Sequence, residues 1–570
     1  MFIVKKTIKG KDYYYLQESK RKEGKVISKT IAYLGKDKEE AEVKAKEFEK
    51  NKSNKTIKKE KSKKIKNMQE EPSEDKDFIS FIVESGLVWG PEPEIYGGLS
   101  GFYTYGPLGK LLKNKVENSV RKVFNSNGFR EIEGPTIMPD KVWKASGHLE
   151  TFIDRIIKCS KCNKTFRADK IIEEKFDVAA DAWNDKKILE FIKKKDIKCP
   201  TCKGFFENKI EQQSLMMKTK VAEIDSSLRP ETATVTYLPF QRFYNYFRTK
   251  LPIGIFQIGK AYRNEISPRQ HILRGREFTQ AEGQIFIDPK EKNNWEKFQD
   301  IKKEKLPFWS HINQDNEDLP EEISIEKALK KGLIKSQAYG WCIHLAYKQY
   351  IEFGIPKEKI RLRQHHLDEK AFYADDAWDI EVNLNNYGWT EMCGIHDRTD
   401  YDLTQHSKFS GQQLESIREN GEKFVPHILE IAFGTDRPTY ALIDLFYEKK
   451  KEESGKTTFK IPYHMAPIDV SIFPLMKRPE LVKVAETIKE DLEKAFIIDF
   501  DTRGSIGKRY LRSSTAGTPY AITIDYESLE KDDVTLRDRD TEKQVRIKIG
   551  NLKDILRKLS LEEIKFNELK

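Results

Sequence analysis

Arg263 and Glu265 close the run Phe256-Gln-Ile-Gly-Lys-Ala-Tyr-Arg-Asn-Glu265, and Arg274, Phe278 and Glu282 follow in Arg274-Gly-Arg-Glu-Phe-Thr-Gln-Ala-Glu282. Alternate residues of a strand share a face. Arg263 and Glu265 are therefore expected on one side of the first run, and Arg274, Phe278 and Glu282 on one side of the second. Folded as a hairpin about Ile266-Ser-Pro-Arg-Gln-His-Ile-Leu273, these residues supply a guanidinium for a phosphate, a carboxylate for an exocyclic amine and a phenyl ring for a base. Those are the parts of a nucleotide site, with arginine suited to bidentate phosphate contacts. An ordinary charged hairpin has the same spacing, so later segments must decide.

A second chemistry lies in Cys159-x-x-Cys162 and Cys199-x-x-Cys202, two knuckles separated by 36 residues. Each CxxC turn aims two thiolates at one tetrahedral ion, and four thiolates leave no open coordination position. The expected occupant of Cys159, Cys162, Cys199 and Cys202 is structural zinc. A thioredoxin-like redox pair suits the pattern less well, because two matched knuckles sit on a lysine-rich insertion. Cys342 and Cys393 stand among apolar residues and read as core.

Arg-x-Glu, a variable loop, then Arg-x-x-x-Phe resembles motif 2 of the class II aminoacyl-tRNA synthetases. The wording Arg263-Asn-Glu-Ile-Ser-Pro-Arg269 with Arg276-Glu-Phe278 is similar to their glycine-specific, homodimeric archaeal and eukaryotic family. Phe129-Arg-Glu-Ile-Glu-Gly-Pro135, after a helix from Leu108, resembles motif 1, which in that class forms the dimer interface. His427-Ile-Leu-Glu430-Ile-Ala-Phe-Gly434-Thr-Asp-Arg437-Pro438 resembles motif 3, a strand running into a proline-initiated helix. The likeness extends from about Asp77 to about Ile549.

The resemblance implies roles. Arg263, Arg274 and Arg437 form the catalytic set: Arg263 holds the α-phosphate of ATP, and Arg274 and Arg437 hold the γ-phosphate. Glu265 takes the adenine amine and Phe278 the adenine ring, with Mg²⁺ neutralising the bent phosphates. Glu231 (in Arg229-Pro-Glu-Thr-Ala233), Glu282 and Glu430 surround the ammonium of glycine, with Arg398 beside them and residue 432 in the pocket wall. Glu430 counts with the ATP set as well. The implied activity is ATP-dependent formation of glycyl-adenylate and transfer of glycine to the 3′ end of tRNA(Gly). It needs no protein nucleophile, since the amino-acid carboxylate attacks the α-phosphate and the enzyme supplies positioning and charge stabilisation. Gly504-Ser-Ile-Gly507-Lys508 is too short a loop to be a Walker sequence.

Three positions depart from the family's text. Ala432 stands where the Glu-Pro-Ser sequence of motif 3 has serine, Gln284 where a second glutamate is usual, and Thr234-Val235 where Gln-Gly follows the alanine. Two other readings compete: a synthetase-like accessory protein that has lost the chemistry, and a class II ligase for another small amino acid. Retention of Arg263, Arg274 and Arg437 argues against the first, and Ala432 keeps the second in play.

The elements that must position these residues fall into an α+β catalytic domain on an antiparallel sheet, residues 77–455. It is interrupted at 156–210 by a zinc-ribbon-like insertion with a helix near Ile188–Lys195. A small β-rich module of two or three strands occupies 1–35, followed by a charged helix and linker over 36–76, too polar to hold a core. From 460 to 570, strands Pro467–Phe473, Phe496–Asp501 and Tyr520–Ile524 alternate with helices, as in a mostly parallel α/β sheet. Arg503-Gly-Ser-Ile-Gly-Lys-Arg-Tyr510 resembles the anticodon-binding domain of this class, and Arg503, Lys508, Arg509 and Arg512 are candidates for phosphates. At 570 residues, with 103 Lys+Arg against 92 Asp+Glu, the chain is mildly basic, which fits a polyanionic partner but proves none. No run approaches the roughly 18 apolar residues of a membrane span, and the cysteine usage suits a reducing compartment, so a cytoplasmic protein is expected. Because the cysteine knuckles lie outside the hairpin, losing their metal is expected to weaken tRNA charging more than adenylate formation.

Overall fold

The computed structural model describes residues 2–8, 11–22, 25–35 and 76–569, apart from 174, 177, 179, 181, 182, 267, 269, 367, 368, 372 and 450–456. The chain divides into two units, residues 1–72 with 315–318, and residues 73–314 with 319–570. In the first, β1 (Phe2–Ile8), β2 (Lys11–Lys22) and β3 (Lys25–Gly35) form an antiparallel meander. The charged helix and linker expected after it, residues 36–75, lie outside the described residues.

The second unit is built on a nine-stranded sheet. Its strands, in chain order, are β4 (Phe129–Glu131), β5 (Ile253–Tyr262), β6 (Glu277–Ile287), β7 (Lys305–Trp309), β8 (Glu321–Ser324), β9 (Ile360–Gln364), β10 (Asp376–Leu384), β11 (Gly388–Thr399) and β12 (His427–Gly434). They lie side by side as β8-β7-β9-β10-β11-β12-β6-β5-β4. Pairing is antiparallel except between β7 and β9 and between β5 and β4. The period-2 pattern of the central strands explains why one face carries a core and the other a site. Leu429, Ile431 and Phe433 of β12, Ala281 and Ile285 of β6, and Cys393 and Ile395 of β11 join one apolar core. The residues between them, such as Glu430, Glu282 and His396, turn to the opposite face and line a cavity.

Behind the sheet lie α1 (Pro107–Ser126), α2 (Gln337–Glu352) and α3 (Asp436–Phe446). Proline at the first position starts α1, where no backbone donor is lost. Its stripe Leu112, Val116, Val120 and Phe124 is fully buried. Gly283 makes that packing possible: a Cβ there would stand 2.1 Å from Phe124 Cε1, so any side chain would push α1 off β6.

The cysteine insertion has its own three-stranded sheet of Ile153–Cys159, Thr165–Arg167 and Phe206–Ser214, with a helix over Asp185–Lys194 whose N-terminus is capped by Asn184. At the C-terminus, β13 (Val470–Pro474), β14 (Ile498–Phe500), β15 (Tyr520–Ile524), β16 (Asp533–Asp538) and β17 (Gln544–Lys548) pair in the order β14-β13-β15-β16-β17. Helices α4 (Pro479–Leu492), α5 (Ile506–Thr515) and α6 (Leu552–Ser560) cover it. The first three strands are parallel, but the hairpin of β16 and β17 adds two antiparallel pairings, so the sheet is mixed rather than mostly parallel.

Candidate active site

On the polar face of the central sheet lies a cavity of about 520 Å³, within the range of small-molecule sites. The expected nucleotide residues Arg263, Glu265, Arg274, Phe278 and Arg437 line it together with the expected amino-acid residues Glu231, Glu282, Arg398, Glu430 and Ala432. Residues from four segments, far apart in the chain, thus meet in one cleft.

At the nucleotide end the hairpin of β5 and β6 runs in unbroken antiparallel register from Ile253↔Phe286 to Tyr262↔Glu277. The strands stop before Arg263 and start after Arg276, so alternation places Phe278 and Glu282 but not Arg263, Glu265 or Arg274. A tight turn, with Glu265 N donating to Arg263 O at 2.7 Å, aims the first pair. Arg274 is brought back by its side chain, which ion-pairs with Glu265 at 2.8 Å. Arg263 Nε donates to Pro230 O at 3.1 Å, and the guanidinium carbon lies 5.3 Å from the Phe278 ring centroid and 5.4 Å from that of Phe152. Arg437 occupies the first turn of α3, where the sequence pattern had put it just ahead of the helix. Its guanidinium donates to Glu391 Oε1 at 3.0 Å and to Glu391 O at 2.7 Å.

Glu391 is a residue that motif spacing missed. Between Ile380 and Glu381 the register of β10 on β11 slips by one residue, and such a bulge re-aims a side chain. Glu391 joins Gly394, His396 and Arg398 on the cavity wall, with Asp379 nearby held by His365 Nε2 at 2.8 Å. The Arg437 guanidinium keeps the Glu391 carboxyl below the usual carboxylate range, whereas burial pushes Asp379 up. Asp379 and Glu391 thus set two hard carboxylate donors, the donor type that suits Mg²⁺, at the arginine end of the cleft.

At the other end, buried carboxylates are held by a dense set of donors. Glu430 accepts from Tyr237 Oη at 2.9 Å and Arg398 Nη1 at 3.2 Å, and its Oε1 lies 3.2 Å from His396 Nδ1. Burial alone would raise this carboxyl, but the Arg398 charge and His396 hold it low. Arg398 is fixed in turn by a two-point bond to Asp402, at 2.8 and 2.9 Å, with its guanidinium 4.2 Å from the Tyr373 ring centroid. Glu231 accepts from Thr234 Oγ1 at 2.7 Å and faces His148 Nε2 at 3.4 Å. Glu282 accepts from Thr232 Oγ1 at 2.6 Å and Gln280 Nε2 at 2.8 Å. It has no cation on it, and burial, reinforced by Glu430 and Glu231, pushes its pKa up to about 8. Of the three carboxylates that converge on this pocket, Glu430 faces Arg398 and Glu231 faces His148, while Glu282 has no ion pair among the described residues.

Ala432 stands in the sheet between Glu282 on β6 and Gly394 on β11. Gln284 is fully buried opposite Glu430, with neither amide atom hydrogen-bonded. A carboxylate there would add a further buried charge beside Glu430, so the neutral amide limits the cost of burial.

Beneath the site a buried knot joins the three motif segments. Lys113 of α1 donates to Asp436 Oδ1 at 2.5 Å and to Thr279 Oγ1 at 2.8 Å, while Asp436 Oδ2 accepts from Thr279 N at 2.7 Å and Oδ1 from Tyr105 Oη at 2.5 Å. It fixes the start of α3, and so Arg437, against β6. Removing one partner of such a buried pair costs about 3–5 kcal/mol.

The four cysteine sulfurs lie within 4.8 Å of one another, with Cys159–Cys202 at 3.5 Å and Cys162–Cys199 at 3.7 Å. A tetrahedral zinc with bonds of about 2.3 Å requires S···S edges of about 3.8 Å. The two knuckles are copies of one turn: Cys159 N donates to Lys164 O and Cys199 N to Gly204 O, while Asn163 N and Lys203 N return to Cys159 O and Cys199 O. Gly204 is required by proximity, since a Cβ there would meet Cys202 Sγ at 3.2 Å and Cys159 Sγ at 3.3 Å.

Comparison with known proteins decides the family. Residues 218–446 match the model of the tRNA synthetase class II core domain (G, H, P, S and T), and residues 469–559 match that of the anticodon binding domain. The glycine–tRNA ligase of Methanococcus maripaludis strain C6 is 38% identical over 564 residues, covering 83% of this chain and 97% of that protein. The chain belongs to the glycine–tRNA ligase family. The glycine–tRNA ligases of Thermococcus gammatolerans and Pyrococcus horikoshii are each 37% identical, covering 86% and 83% of this chain and 99% and 96% of those proteins. The crystal structure titled as the RNA binding domain of threonyl-tRNA synthetase from Cryptosporidium parvum Iowa II shares the fold, with TM-score 0.53 at 17% identity over 85% of this chain and 98% of that one.

Within this family's anticodon-binding domain, the basic cluster divides. Arg509 is 3% exposed and donates to Pro474 O and Leu475 O at 2.6 and 3.0 Å, closing the end of β13. It is a framework residue, contrary to its sequence reading as a phosphate ligand. Arg512 and Arg503 both pair with Asp501, Arg503 at 3.6 Å from a side chain that is 86% exposed. No helix among the described residues is long and apolar enough to cross a membrane.

Proposed function

We propose that this protein activates glycine with ATP to glycyl-adenylate and transfers it to the 3′ end of tRNA(Gly), acting as a homodimer in the cytoplasm. The observation that carries the reading is the single cleft uniting three arginines at one end with Glu231, Glu282 and Glu430 at the other. Arg263 meets the α-phosphate, Arg274 and Arg437 the γ-phosphate, and Phe278 and Glu265 the adenine. The carboxylates and Arg398 orient the ammonium, so that the glycine carboxylate faces the α-phosphorus. Asp379 and Glu391 would hold Mg²⁺, which would supply neutralisation of phosphate charge. Glycine offers no side chain to grip, so selectivity rests on the ammonium contacts and on steric exclusion at Ala432 and Gly394.

ATP–pyrophosphate exchange with glycine, alanine and serine tests this. Glycine is expected to give the highest kcat/KM, and a preference for alanine or serine would overturn the assignment. Ala432→Ser places a hydroxyl in the pocket wall. One net hydrogen bond and the lost space are expected to raise the glycine-to-alanine ratio up to about tenfold; an unmoved ratio would mean that the backbone already closes the pocket.

The cysteine quartet is proposed to hold one structural zinc per chain. Metal analysis is expected to find about one equivalent, lost in Cys159→Ser/Cys199→Ser; unchanged zinc in the double variant would place the ligands elsewhere. Every proposed site residue belongs to the second unit. Deleting residues 1–66 is accordingly expected to leave exchange intact. If the lysines of that segment touch RNA, charging alone worsens, most at low salt, with a shallower salt dependence. Loss of exchange on truncation would make the segment part of the catalytic fold.

A further inference from the structure

We infer that the cysteine insertion is a positioning device for Arg263-Asn-Glu265, holding the nucleotide hairpin through the two strands that enter and leave it. The inference rests on the proposed ATP site but not on which amino acid is activated. The insertion closes at its root by a bond from Leu215 N to Phe152 O at 3.0 Å. Both root segments grip the hairpin. Asn264 N donates to Leu215 O at 2.8 Å, and Gln213 Nε2 donates to Asn264 O at 3.3 Å, so both backbone polar groups of Asn264 are satisfied by the insertion. The Phe152 ring carries the Arg263 guanidinium on its face.

The same two strands end at the thiolates. Ile153–Cys159 runs from the Phe152 root to the first cysteine, and Phe206–Ser214 returns from the second knuckle, with Phe206 opposite Cys159 and Ser214 opposite Ile153. The third strand carries Arg167, which ion-pairs with Asp154 at 3.4 Å and contacts Asp169 at 2.5 Å, and which lines the cleft near Glu265. Metal site and Arg-x-Glu are therefore opposite ends of one short ribbon. Without a cation the two knuckles lose the metal–thiolate bonds that join them, and the ribbon's far end is left to the Ser160–Phe205 bonds and the apolar packing around Cys159 and Cys199. On this inference metal loss reaches adenylate formation through the hairpin, where the cysteine spacing alone had led to the expectation that charging would suffer more.

Hydrogen exchange of the full-length protein tests the coupling: the zinc-loaded form, a chelator-dialysed form, and the same sample with Zn²⁺ alone restored. Metal removal is expected to accelerate exchange in the peptide containing Asn264 at least tenfold, with recovery on adding Zn²⁺ and no change in peptides from β12. Phe152→Leu and Gln213→Ala, both retaining zinc, are expected to raise KM for ATP about three- to tenfold while KM for glycine stays put. Unchanged Asn264 protection, or equal shifts in both KM values, would reduce the insertion to an independent module. Failure of glycine-dependent exchange in the wild-type protein would instead count against the proposed function and leave the hydrogen-exchange result standing.

Discussion

Replacing Arg263 by alanine is expected to lower glycine-dependent ATP–pyrophosphate exchange about 10²–10³-fold, the usual cost of one donor aimed at developing charge. Arg263 bonds the protein through Nε alone and otherwise rests on the Phe152 and Phe278 rings, so its loss removes little structure. Arg437→Ala is expected to be worse. In the proposed site its guanidinium serves the phosphates, and it also neutralises Glu391, whose carboxyl it holds below the usual range. The alanine variant strips the cation and leaves a repelling carboxylate beside the phosphates. Adding Glu391→Gln to Arg437→Ala should then recover activity, unless that carboxylate is needed for Mg²⁺, in which case the double variant is the poorer one. Near-normal exchange in both single variants, with unchanged melting temperatures, would sink the synthetase chemistry.

The contrast between the two arginines also shows how far the sequence could be read. The hairpin was legible because β5 and β6 pair without a bulge across their whole length, so residue counting placed Phe278 and Glu282. It failed at Arg263, Glu265 and Arg274, which lie beyond the strand ends and are aimed by a turn and an ion pair. Those three were found by resemblance to known wording. Glu391 had no such wording, and a bulge moved it across the parity that sequence alternation assumes. The cysteine quartet was legible because each knuckle is local, but the grip of its root on Asn264 was not. Both of those hydrogen bonds involve the hairpin's backbone, Asn264 N donating to Leu215 O and Asn264 O accepting from the Gln213 side chain, and no residue type announces them. Arg509 misled for the opposite reason: a basic residue in a basic run is buried against carbonyl groups.

Glycine binding is expected to strengthen about tenfold per pH unit as pH rises toward about 8, and to flatten above it, because glycine must find Glu282 ionised. Burial first, then the Glu430 and Glu231 charges, hold the empty-site carboxyl at about 8 against an ordinary 4.5. The arriving ammonium compensates those like charges, so binding expels a proton. Calorimetry at pH 7 in buffers of different ionisation enthalpy should find close to one proton released per glycine. The linkage also fixes the sign for stability. With the folded pKa above the unfolded one, the native state holds the extra proton between the two values, so the unliganded protein loses stability as pH rises from about 4.5 to 8. Saturating glycine should offset that loss. His148 faces Glu231 and His396 faces Glu430, so Glu282→Gln is the control that isolates one group. It should abolish the pH dependence above about pH 7, remove the proton release, and weaken glycine most at pH 8, where the wild-type carboxylate is available. A wild-type affinity that is flat from pH 6 to 8, with no proton released, would mean that Glu282 is already ionised in the empty pocket and that Arg398 reaches it in solution.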